Sequence, residues 1–132
     1  MNYQTISSYF KFSELCATSK AVSNFPNTPE QLSRLSFLWY VLNRLRHTFG
    51  SAIYLNSAFR TPAVNDAVGG SVNSYHLKGL AADIRTIPSL MDELWEHILK
   101  YDKQYPKLFV EIIDHRPEGY IHIAVNFDTY ES

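Results

Sequence analysis

The stretch from Thr28 to Gly50 commits this chain to one long amphipathic helix. Thr28 is a natural N-cap, Pro29 suits the first helical position and Gln31 completes a capping box. Leu32, Leu35, Leu38, Trp39, Leu42, Leu45 and Phe49 recur at steps of three and four, and Gly50 supplies a stop. The spacing therefore predicts a helix over 29–49 whose apolar stripe has to be covered by a second layer.

The rest of the chain supplies that layer in short β-rich runs. Ala52–Asn56 and Leu80–Arg85 read as strands, and Lys107–Asp114 and Tyr120–Asn126 as two more joined by the turn Arg116-Pro117-Glu118-Gly119. Between the first two lies a loop-like stretch, Ser57 to Ser74, with Pro62 and the pair Gly69-Gly70; so long an irregular segment in a small domain is usually functional. Ser89 is read as the cap of a second helix with Leu90, Leu94, Ile98 and Tyr101 on one face, and Phe12–Cys16 as a short helix capped by Ser13. Helices segregated from a small, mostly antiparallel sheet define an α+β fold, and 132 residues without a linker or repeat make one domain, 1–132.

Composition removes several function classes. With 45% hydrophobic and 19% charged residues the chain is not disordered, and 14% aromatics give a small core large side chains to bury. Twelve Lys and Arg against thirteen Asp and Glu, with no run of like charge, leave no footprint for nucleic acid or an anionic membrane. No apolar run approaches the ~18 residues of a membrane span. Met1–Ser8 lacks a leader pattern and the single cysteine, Cys16, cannot pair internally, so synthesis in the cytoplasm is expected.

Chemistry is concentrated in the histidines. His47, in the last turn of the long helix, and His97, beside Glu96 on the second helix, read as solvated surface residues. His122 stands inside the apolar strand Tyr-Ile-His-Ile-Ala-Val, where an imidazole needs a hydrogen-bond partner or a metal. His76 lies in a loop seven positions before Asp83, with Gly79 permitting the turn between them. Gly79 and Ala81 alternate onto the face of Asp83 and are small enough to leave space above the sheet. Two imidazoles and one carboxylate leave a fourth position open, the ligand count of a catalytic zinc site.

The ordered string Ser57-Ala58-Phe59-Arg60-Thr61-Pro62, Asn65, Val68-Gly69-Gly70-Ser71, Asn73-Ser74-Tyr75-His76, Gly79, Ala81, Asp83 and the later Tyr120-Ile121-His122 resembles the zinc D-Ala-D-Ala carboxypeptidases and related murein endopeptidases, over about residues 53–125. Phe10–Leu15 and the long helix are similar to the small, phage-associated branch of that family. The resemblance implies a hedgehog-type peptidase fold, one zinc ion held by His76, Asp83 and His122, and hydrolysis of a peptide bond in a peptidoglycan stem peptide, in which zinc acidifies water and polarises the scissile carbonyl. It implies further that Arg60 steadies an oxyanion or a substrate carboxylate, against the plainer reading of a structural ion pair. Ser57, Ser74 and Tyr75 are the expected substrate contacts, and Asn65, Gly69 and Gly70 shape the loop. Phe59, Tyr75 and Tyr120 are further candidates for a groove lining.

One departure from the family pattern matters. Members place Glu or Asp three positions before the third ligand, where this chain has Gly119. Glu118 is one alternative base. His115 is the other, on a strand alternating through Glu111 and Ile113 that would bring it opposite His122, with Asp114 on the outer face. Three functions follow as expectations: a monomeric zinc peptidase of bacteriophage origin acting at the bacterial cell wall, a non-catalytic relative that binds murein or a protein in the same groove, and a metal-free structural domain.

Overall fold

A computed structural model of the chain describes residues 8–20 and 23–128. The segment Met1–Ser8, read above for a leader, lies outside them except for Ser8. Helix α1 spans Pro29–Phe49, the bounds expected from its caps. Thr28 Oγ1 accepts from Gln31 N at 3.1 Å, but Gln31 Oε1 accepts from Asn27 N at 2.9 Å, one residue ahead of the N–H a capping box would use. Gly50, at φ 81°, terminates the helix. Leu35, Leu38, Leu42 and Leu45 are buried with Phe37 and Val41, each such side chain worth roughly 1.5–3 kcal/mol of burial. Leu32, a full turn before the first of them to reach the core at the equivalent depth, is half exposed.

The sheet contains strands β1, Tyr54–Ser57; β2, Ala81–Arg85; β3, Phe109–His115; and β4, Tyr120–Val125. All pairs are antiparallel in the order β1-β2-β4-β3. Strand alternation divides the sheet into two chemically distinct faces. Ala82 and Ile84 of β2 pair with Ile123 and Ile121 of β4 and join one buried cluster with α1. Asp83 pairs with His122, and His122 with Ile113, on the opposite face. Helix α4, Met91–Gln104, adds Leu94, Ile98 and Tyr101 to the same core.

Four local expectations are corrected. The stretch 57–74 contains a helix, α2, at Pro62–Ala67, because Thr61-Pro62 repeats the cap-and-proline start of α1 and Thr61 Oγ1 accepts from Val64 N. His76 does not sit in a loop but in a helical turn, α3, Tyr75–Lys78. Ser89 does not cap α4; a 3₁₀ turn at Pro88–Leu90 intervenes and the helix begins at Met91 without a side-chain cap. Phe12–Cys16 is a 3₁₀ helix begun by Lys11, whose N–H donates to Glu14 Oε1, and Ser13 plays no part in the cap. No helix among the described residues is long and apolar enough to cross a membrane.

Candidate metal centre

The site is assembled on the sheet face opposite α1 and α4. Ser74 ends the preceding loop with its Oγ accepting from His76 N at 3.1 Å, which starts α3 and fixes where His76 emerges. Gly79 closes that turn at φ 78°, a left-handed conformation that a side chain disfavours. A Cβ on Gly79 would lie 3.3 Å from the backbone oxygen of Gln31, so this glycine lets α3 pack against α1 instead of opening space above the sheet. Chain reversal at Gly79 then brings Asp83 beneath His76, and β4 brings His122 beside Asp83.

His76, Asp83 and His122 each direct one ligand atom to a common point, all within 4.8 Å of one another. His76 Nε2 lies 3.4 Å from Asp83 Oδ2, and His122 Nδ1 lies 2.8 Å from Asp83 Oδ1. The outward nitrogens are both engaged. His76 Nδ1 donates to Ala58 O at 2.6 Å, which requires its proton there and leaves the Nε2 lone pair free. His122 Nε2 pairs with Glu111 Oε1 at 2.8 Å. Ligands on a tetrahedral zinc at ~2.0–2.1 Å stand roughly 3.3 Å apart, so this donor set fits that ion in type, number and spacing.

Burial of Asp83 opposes its ionised form, but the hydrogen bond from His122 and the closeness of His76 outweigh that cost and hold the carboxyl well below the usual carboxylate range. Burial likewise works against a charged His122, and the hydrogen bonds to Asp83 and Glu111 outweigh it and raise its pKa. The imidazole orientations are thus set by hydrogen bonds, His76 through Ala58 O and His122 through Asp83 and Glu111.

Arg60 borders the same cleft, whose volume is about 490 Å³. Its Nη2 lies 3.6 Å from Asp83 Oδ2, its Nε donates to Ser57 Oγ at 3.2 Å and its Nη1 to Asn65 Oδ1 at 3.4 Å. The ion pair is real, and the guanidinium still lines the cavity. Ser57 itself lies behind Arg60 and outside the cleft lining, where a bulge in β1 sets it opposite Asp83. Arg60 N donates to His76 O at 3.1 Å, and the buried Asn24 side chain donates to Phe59 O and accepts from Thr61 N, which fixes the Arg60 segment on both sides.

Ser74 and Tyr75 line the cleft, as does Tyr120, whereas Phe59 is buried in the core and lines nothing. His115 also borders the cleft, but it pairs with Tyr120 and stacks on that ring at 4.6 Å; the residue opposite His122 is Ile113. Glu118 sits in the turn Arg116–Glu118, is largely exposed, and comes no nearer than His115, Nδ1 to Oε2 at 3.9 Å. The carboxylate that does reach His122 is Glu111, across and two pairs along the ladder. Strand alternation places Glu111 on the face of Ile113 and His115, the face expected to meet His122. Of the two histidines set aside, His47 is exposed and bonded to Tyr9, while His97 is half-buried against Phe49 with its Nε2 2.8 Å from Thr48 Oγ1.

An α+β domain whose sheet carries two imidazoles, a carboxylate and an arginine around one open cleft has the ligand chemistry of a metallohydrolase. A family profile described as Peptidase M15 matches residues 8–124, and the chain belongs to that family. M15 peptidases are generally zinc-dependent, and membership implies a metallopeptidase domain with a peptide-containing substrate. No curated protein matches the chain.

Proposed function

We propose that this protein is a zinc-dependent peptidase that hydrolyses a peptide bond of bacterial peptidoglycan, with His76, Asp83 and His122 holding the ion. The observation that carries this reading is the convergence of those three residues on one point with an open side toward a cleft, in a chain of the M15 family. When bound, zinc would supply Lewis acidity, polarising the scissile carbonyl and acidifying water.

The chain's own residues account for the rest. Arg60, held by Ser57, Asn65 and Asp83, presents a fixed positive charge to a substrate carboxylate or to the oxyanion that develops during hydrolysis. His115, held flat against Tyr120 at the cleft wall, is placed to take up a proton and return it to the leaving amine, with Glu118 near its Nδ1. Glu118 as the base itself is less well supported, since it lies outside the cleft lining. Ser74 and Tyr75 offer a hydroxyl and a ring to the peptide on the side facing His76.

Gly119 at the family's acid position favours a second reading, a groove that binds murein without cleaving it. Digestion of purified peptidoglycan followed by mass spectrometry of the released muropeptides separates the two and identifies the bond. Release that depends on zinc and disappears in His122→Ala supports the peptidase; sedimentation with murein without release supports the binding domain and overturns the enzyme. A bacteriophage origin, action at the cell wall and a monomeric state belong to the same proposal.

A further inference from the structure

Each imidazole of the cluster needs an acceptor for its outward nitrogen, and the two acceptors differ in kind. That of His76 is the backbone oxygen of Ala58, which no substitution at position 58 removes. That of His122 is a side chain, Glu111. It is delivered by the regular ladder next to the hairpin: His115 pairs with Tyr120, Ile113 with His122 and Glu111 with Ala124, which sets Glu111 diagonally across from His122 on the same face. Only beyond Glu111 is the ladder irregular, at the bulge that leaves Val110 half exposed.

Resting on the zinc reading above, we infer that Glu111 is a positioning residue for the metal centre: by accepting from His122 Nε2 it fixes the ring so that Nδ1, already 2.8 Å from Asp83, is the nitrogen presented to the ion. A carboxylate on the outer nitrogen also raises the basicity of the ligating one. Glu111 sits one-third exposed at the cleft edge, where it exchanges little core packing for this contact. The ring orientation is specified by chemistry on both sides: Asp83 fixes the inward nitrogen and Glu111 the outward one.

The test compares zinc dissociation constants of the full-length protein, Glu111→Ala and Glu111→Gln, by competition with a chromophoric chelator, alongside long-range ¹H–¹⁵N spectra of the zinc-loaded imidazoles. The expected result is an affinity weakened about 10–100-fold in Glu111→Ala, with most of it recovered in Glu111→Gln, whose amide oxygen still accepts the N–H. In the spectra the His122 Nε2 proton should be retained and slow to exchange in the wild type and fast in Glu111→Ala. Unchanged affinity and exchange in both folded variants overturn the inference, including the case where activity alone falls, which would put Glu111 on the reacting atoms. A wild-type protein that takes up no zinc overturns the metal reading itself, and is recognised before any variant is made. Circular dichroism checks the fold, and Glu111→Gln, nearly isosteric, keeps the comparison open if the alanine variant is unstable.

Discussion

Asp83 Oδ1 and His122 Nδ1 stand 2.8 Å apart across the β2–β4 ladder, directly paired residues on the two central strands of the sheet. Because the backbone register itself sets this pair, two of the three clustered residues are fixed by the central strands, and only His76 has to be brought in from outside the sheet.

Metal removal should therefore lower stability without abolishing the fold. Ligand binding stabilises by mass action, about 4 kcal/mol at a thousandfold excess over the dissociation constant. Chelation should lower the melting temperature by roughly 5–15 °C, reversed by adding zinc, with the far-ultraviolet circular dichroism of the cold protein unchanged. A melting temperature indifferent to chelator and to zinc would show that no ion binds at the cluster.

Asp83→Asn should be the most damaging ligand substitution. It removes the charge that both imidazoles share while keeping the shape, so zinc uptake should fall below stoichiometric and the metal-free protein should lose about 1–3 kcal/mol of stability through its weakened hydrogen bonds. Elemental analysis and urea unfolding of the purified variant measure the two effects separately.

Gly70→Ala tests whether the loop works through Arg60. A Cβ at position 70 would overlap the side-chain oxygen of Asn65 and lie 3.1 Å from Arg60 Nη1. Asn65 is buried and tied to Ser71 O through its Nδ2, so it has little room to retreat, and the guanidinium loses its support. Muropeptide release should fall about tenfold or more with zinc content unchanged, approaching the ~10²-fold loss expected of Arg60→Ala. Activity equal to wild type would mean that the Asn65 contact does not hold the arginine in place.

Much of this architecture was legible in the sequence, for identifiable reasons. The α1 bounds follow from a cap, a proline and a glycine, and the meeting of His76, Asp83 and His122 from the ordered motif that resembles the family. What escaped was set by tertiary partners. Thr61-Pro62 carries the same start signal as Thr28-Pro29, but a six-residue helix has no room for apolar periodicity to reveal it. Alternation put Glu111 on the face of Ile113 and His115, yet which of the three meets His122 depends on where the turn sets the register, and that register places Ile113 opposite His122 and Glu111 diagonal to it. Gly79 looked like a space-maker and is a packing residue, because the helix it touches lies more than forty positions earlier in the chain.

Cys16 should be chemically silent in the native protein. It is 5% exposed and its burial raises the thiol pKa, so thiolate is scarce at neutral pH and access is poor. A thiol whose folded pKa lies above its unfolded value adds stability that is fully present below the unfolded value and is lost as pH rises toward the folded one. Alkylation by iodoacetamide at pH 7 should therefore be slow in buffer and fast in denaturant, and the melting temperature should decline once the pH passes the ordinary thiol range. Cys16→Ala should remove that alkaline decline at a cost of about 1 kcal/mol in packing. Rapid alkylation of the folded protein at neutral pH, read by intact-mass spectrometry, would contradict the burial on which this argument depends.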